Sequence, residues 1–133
     1  VAACAKYCDV VSYNIYREKI DDWRLPAKLD APVLIGEFHF GATDRGPFGT
    51  GVRQAKDQED RAAKMKGYVE TALANPQIVG VHWHQFSDQA ATGRFDGEYL
   101  QVGLTDVCDT PYPIMRKALR EVGYSLYETR NAR

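Results

Sequence analysis

The chain has 133 residues, 44% of them hydrophobic, and a net charge of −1 with acidic and basic residues interspersed. That is enough apolar material for a core, which excludes disorder, and too little charge imbalance for a face that holds nucleic acid or an anionic membrane. Its apolar runs are a few residues long, far below the ~20 that a bilayer needs, and neutral substrates suit the balance better than polyanions.

The chain opens on Val1 rather than Met, within Ala-Ala-Cys-Ala-Lys, and reads as a piece of a longer protein whose leader is not in it. Asp9-Val10-Val11-Ser12-Tyr13-Asn14-Ile15-Tyr16, rich in β-branched and aromatic residues, predicts a strand. The charged stretch from Glu18 to Leu29 predicts a short, irregular helical connection ended by Pro32. Val33 to Phe38 is almost continuously apolar, as expected of a parallel strand covered on both faces. It closes on Glu37, with His39 two residues on.

Gly41 to Gln54 holds four glycines and a proline, and so predicts a long loop directly after Glu37. Asp57 can cap a helix running to about Ala74, where Ala62, Met65, Val69, Ala72 and Leu73 recur at helical spacing before Asn75-Pro76 stops it. Ile78 to His84 predicts a third strand and Gln85 to Asp109 a polar loop. A last helix is expected from Thr110-Pro111 to Gly123, with Met115, Ala118, Leu119 and Val122 on one face.

Strands alternating with helices imply parallel βαβ units with right-handed crossovers. Three such units fit either a small open α/β sheet or the last three units of an eight-unit barrel, and no linker or repeat divides residues 1–133. Cys4, Cys8 and Cys108 form no metal-type pair and read as ordinary buried thiols, with a bridge from Cys4 or Cys8 to Cys108 left open.

The strand ends carry the chemistry. Asn14-x-Tyr16, Glu37-x-His39 and Trp83-x-Gln85 are each two apart, which places both members of a pair on one side of their strand. A carboxylate, a hydroxyl, amides and an indole at one mouth suit sugar chemistry: the carboxylate meets an oxocarbenium-like centre, the polar groups hold hydroxyls and the indole floors a ring. His82 and His84 could instead share a metal with His39 or Asp88, making a metal-dependent hydrolase. Alternation argues against it, since both point away from the mouth if Trp83 points in, and no metal or other cofactor is expected. Asp88, Asp96 and Glu98 read as solvated loop residues, or as part of a loop lining the cleft. Arg24, Arg45, Arg53 and Arg61 read as surface, with Arg45 placed for substrate contact.

At this point the chain resembles a family. Asp9 to Tyr16, Pro32-Val33-Leu34-Ile35-Gly36-Glu37 and Gly80-Val81-His82-Trp83 look like strands six, seven and eight of the clan A retaining glycosidases built on the (β/α)8 (TIM) barrel. The strings Glu37-Phe38-His39-Phe40-Gly41-Ala42-x-Asp44-Arg45-Gly46, His82-Trp83-His84-Gln85-Phe86-x-Asp88 and Gln101-Val102-Gly103-Leu104-x-Asp106-x-x-Asp109-Thr110-Pro111-Tyr112-Pro113 are most similar to the β-agarases of glycoside hydrolase family 50.

The resemblance implies a single, partial (β/α)8 domain over 1–133, with Glu37 as nucleophile, Tyr16 or Asn14 holding it ionised, and Trp83 flooring a subsite. His39 and Gln85 would contact hydroxyls. It implies hydrolysis of β-1,4 linkages in agarose or its oligosaccharides, by a parent that is secreted or periplasmic. The family takes its acid/base from an Asn-Glu pair on the fourth strand, and no Asn-Glu dipeptide occurs here, so this piece alone is expected to be inactive. A non-catalytic carbohydrate-binding or structural α/β module is the alternative, and oligomeric state is left open.

Overall fold

A computed structural model of the chain describes residues 1–46 and 49–132; Pro47, part of the expected loop after Glu37, lies outside them. The elements are α1 (Ala2–Tyr7), β1 (Val11–Asn14), β2 (Val33–Phe38), α2 (Gln58–Ala74), β3 (Ile78–Trp83) and α3 (Pro113–Asn131). The strands form one parallel sheet in the order β1-β2-β3.

The sheet packs one face on α2 and α3. Val33, Ile35, Phe38 and Ile78 meet Met65, Tyr68, Val69 and Met115 in a single apolar cluster, with Phe38 stacked on Tyr68 at 4.2 Å. Burial along β2 picks out Val33, Ile35 and then Phe38, because register slips as Tyr13 pairs with Ile35 but Asn14 with Glu37. That slip re-aims the strand end, the usual work of a bulge beside a site. It leaves Glu37 half-buried while Phe38 takes the core position.

Helix α2 begins as its sequence requires. The Asp57 carboxylate accepts from Asp60 N at 2.9 Å, and the Asp60 carboxylate reaches back to Lys56 N at 2.9 Å. Asn75 closes it, with Pro76 beyond.

Three sequence expectations are corrected. The segment between β1 and β2 forms no helix. It is an irregular strap, sealed by buried Ile20 and Leu25 and held by side chains from α2 and the residues just after it. Thr71 Oγ1 accepts from Ile20 N (3.2 Å), Gln77 Oε1 accepts from Leu25 N (3.0 Å), and Asn75 Nδ2 donates to Ile20 O (3.1 Å) and Trp23 O (2.6 Å). Secondly, α3 starts at Pro113 and runs past Gly123 to Asn131. Gly123 faces open space, and its cost of about 1 kcal/mol in a helix is offset by Leu126 against the core and by Arg130. The Arg130 guanidinium donates to Leu73 O and Asn75 O at 2.8 Å each. Thirdly, all three cysteines are exposed and free.

Two charged residues also lie deeper than their type suggests. Arg61 is fully buried and Asp88 nearly so, against the surface and loop positions expected for them. No helix among the described residues is long and apolar enough to cross a membrane.

Asn75→Ala removes one donor from each of the Ile20 and Trp23 carbonyls, which keep Trp23 N and the Arg24 guanidinium. Two lost hydrogen bonds at ~0.5–1.5 kcal/mol each predict a fall of about 2 kcal/mol in unfolding free energy by urea denaturation, with α2 intact by circular dichroism.

Candidate active site

The carboxyl ends of β1 and β2 bring Glu37 and Tyr16 together. Ile15 N donates to Glu37 O at 3.1 Å, extending the pairing past β1, and the Tyr16 hydroxyl donates to Glu37 Oε2 at 2.8 Å. Burial, and then the bond to Glu37, push the Tyr16 phenol far above its ordinary range. It is therefore a permanent donor to the carboxylate.

His39 lies beside this pair, its ring 4.7 Å from the Tyr16 ring and only 3% exposed. Its Nε2 accepts from Val52 N at 2.9 Å, which puts the proton of a neutral ring on Nδ1. Burial and then neighbouring His84 lower its pKa to about 4, so the ring is neutral at ordinary pH. Nδ1 of His39 and Nδ1 of His84 are both buried without a hydrogen-bond partner in the chain. Gly51, at φ +67°, makes room for this arrangement: a Cβ there would collide with the His39 imidazole.

These residues line a pocket of about 440 Å³, completed by Val52, His84, Arg94, Glu98 and Leu100. A larger cavity, about 580 Å³ between α2, β3 and α3, is walled by aliphatic side chains such as Val69, Val81 and Leu119. It offers no group able to do chemistry beside Glu37.

Of the six residues expected at the mouth, Glu37, Tyr16 and His39 line the pocket; Asn14, Trp83 and Gln85 do not. Asn14 is exposed, its Oδ1 over Gly36. Trp83 is half-buried, edge-on to Phe38 at 5.2 Å, with Nε1 donating to Val102 O at 2.7 Å. Gln85 Nε2 donates to Ser87 O at 2.8 Å. His84, expected to point toward the helices, instead enters the pocket, 5.7 Å from His39, because β3 ends at Trp83 and its alternation ends with it. The His84–Gln85 peptide is cis. His82 is exposed and Asp88 is taken up by Gly103 N and the Tyr112 hydroxyl. Among the described residues no group of three or more His, Cys, Asp or Glu could hold a metal ion.

Two loops shape the pocket, and Arg61 on α2 ties them together. Its guanidinium donates to Phe40 O at 2.9 Å in the loop after β2, to Gly103 O in the loop after β3, and to Gln58 Oε1 at 2.9 Å. It lies over the rings of Tyr112 and Trp83, at 5.2 and 5.6 Å. Burial lowers its pKa to about 10 against the pull of Asp88, and it stays charged.

Arg94 was not expected at the site. Glu98 was read either as a solvated loop residue or as part of a loop lining the cleft, and His84 only as a candidate metal ligand or a residue turned toward the helices.

No family model matches the chain. It is 46% identical over 97% of its length to Beta-agarase A, and 44% identical over 95% to Beta-agarase B, both from Vibrio sp. (strain JT0107). It spans 14% of the length of each of these curated relatives. Among solved structures it is similar to an exo-β-agarase, at 47% identity and a TM-score of 0.92 over 98% of this chain and 18% of that one. An agarase crystal structure superimposes at 43% identity and a TM-score of 0.89, over 96% of this chain and 20% of that one. A β-galacturonidase from Eisenbergiella tayi shares the fold, at a TM-score of 0.64 and 20% identity over 91% of this chain and 25% of that one.

Two outcomes are expected. Arg61→Met leaves the Phe40 and Gly103 carbonyls unpaired and should cost about 3 kcal/mol by urea denaturation; Arg61→Lys should recover little, because an ammonium lacks the guanidinium fork. For His39, the unfolded chain protonates near pH 6.5 and the folded one near 4, so the unfolded state binds more protons in between. Its contribution, at most about 3 kcal/mol, is whole above pH 6.5 and is lost as pH falls toward 4. Stability profiles of wild type and His39→Gln should diverge across that window and run parallel outside it.

Proposed function

We propose that this chain is the nucleophile-bearing, C-terminal portion of a retaining glycoside hydrolase of the β-agarase type, acting on β-1,4 linkages of agarose or its oligosaccharides. Its three strands would be the sixth, seventh and eighth of a (β/α)8 barrel. The observation that carries the chemistry is the half-buried Glu37 carboxylate at a strand end, one oxygen held by a phenol that stays protonated. Similarity over nearly the whole chain to proteins named β-agarases supports the substrate class.

Tyr16 engages Oε2 and leaves Oε1 to attack the anomeric carbon, forming a glycosyl ester as the leaving oxygen takes a proton from a general acid. Water then attacks the same anomeric carbon and breaks its bond to Glu37, which leaves as the carboxylate, while the residue that gave the first proton accepts one from the water; the sugar departs with retained configuration. His39 and His84 line the pocket beside Glu37, within reach of a bound sugar.

The acid must lie roughly 5–5.5 Å from Glu37 in a retaining enzyme, and the Asn-Glu pair that would bring it is absent from this sequence. Glu98 shares the pocket, but its carboxyl group is already engaged by Gln89 Nε2 at 2.8 Å and the Arg94 guanidinium at 3.2 Å. The acid belongs to another part of the parent protein, which works on a polymer too large to enter cells and is therefore secreted or periplasmic.

The purified 133-residue chain should release no neoagaro-oligosaccharides. In the complete reading frame that carries it, Glu37→Gln should lower kcat by at least ~10³-fold. Tyr16→Phe, which removes one hydrogen bond to a charged group, should lower it by roughly 10–100-fold. Full activity in Glu37→Gln, or an inverted product anomer by NMR, would overturn the reading. Saturable oligosaccharide binding by tryptophan fluorescence, without turnover in the complete frame, would favour the non-catalytic module.

A further inference from the structure

We infer that Phe95 is the stacking face of an outer sugar subsite, continuous with the Glu37 pocket and specific for an uncharged pyranose ring. The inference rests on the glycosidase reading of that pocket.

Phe95 is 99% exposed, the most exposed large apolar side chain among the described residues. Gly97 N donates to Arg94 O at 3.0 Å and Arg94 N donates to Glu98 O at 2.8 Å, closing a tight turn whose tip is Phe95-Asp96. Gly97 supplies the positive φ of +87° that the turn needs. The fixed turn places the root of the ring at the pocket rim.

Its position gives it a direction. Arg94 and Glu98, the residues that close the turn, both line the pocket of Glu37. The Arg94 guanidinium carbon lies 5.9 Å from the Phe95 ring centroid, so pocket wall and ring form one surface. A polysaccharide bound across Glu37 extends over this rim, and an aromatic face there meets the C–H face of the next ring.

The charges select among sugars. Arg94 is matched by Asp96 at 2.7 Å and Glu98 at 3.2 Å, and Glu37 adds a further negative charge. Among the described residues of this rim, no unmatched cation favours a sulfated or uronic ring. The surface fits a neutral one.

The test is a length series of neutral agaro-oligosaccharides with the complete reading frame. Phe95→Ala should lower the ratio of kcat/KM for long over short substrates about tenfold, through KM rather than kcat, and Phe95→Trp should restore it. The same series, read as affinity in the Glu37→Gln background, should show the same loss. An unchanged ratio in both readouts overturns the inference, as does a fall in melting temperature with the ratio intact, which would mean that another part of the protein covers Phe95. If the wild type hydrolyses nothing, the glycosidase reading fails separately, and the affinity series still decides the role of Phe95.

Discussion

The buried guanidinium of Arg61 is the constraint on which the rest of this molecule depends. A parallel sheet delivers its strand ends to one side, and the loops that follow meet through a short backbone bridge, Gly49 N donating to Tyr99 O at 2.8 Å and Gln101 N to Gly49 O at 2.9 Å. Arg61 adds a buried side-chain tie from α2, the helix joining β2 to β3, by donating to Phe40 O and Gly103 O at once. A buried cation is costly unless its donors are met. Here Gln58 meets a further donor, Asp88 lies close enough to favour the charge, and the Tyr112 and Trp83 rings lie beneath the cation at 5.2 and 5.6 Å. The cost of burial becomes geometric specificity, because both loops must be in place to offset it.

Around that anchor, three residues that surround Glu37, itself within β2, arrive from just beyond the strands. Tyr16 follows β1, His39 follows β2 and His84 follows β3, each just past its last ladder residue. The register slip at Gly36–Glu37 turns the carboxylate toward them. The resulting chemistry is steady at neutral pH: the phenol stays protonated and the His39 ring neutral, both for the same reason, burial.

Where the sequence was legible, local rules and tertiary packing agreed. Helix α2 carries a reciprocal cap and a proline stop, and β2 is short, apolar and bounded by proline and glycine. The grouping of strand-end residues brought Tyr16 to Glu37, but its alternation partner Asn14 stays exposed outside the pocket. Alternation failed again at His84, one residue past β3. Local rules failed too between Glu18 and Leu29, where charge density suggested a helix but no apolar stripe existed to bury, and at Gly123, where long-range bonds from Arg130 outweighed a local stop signal. Arg61 was misplaced although the spacing held a clue. Positions 61, 65, 68 and 72 share one helical face with Met65, Tyr68 and Ala72, so the charge sat on the buried stripe. Asp88 and Trp83 depend on partners 24 and 19 residues away, which no local pattern encodes.

Gly51 shows how part of this site is written as an absent atom. It has no functional group, yet the His39 ring occupies the space that a side chain would fill. Every missense route out of a glycine codon adds at least a Cβ. Each such change would therefore displace the His39 imidazole while leaving the identity of every polar side chain of the pocket unchanged. A survey that ranks positions by the chemistry of their side chains passes over this one, although inherited variation at Gly51 would disarm the pocket as surely as loss of a polar group.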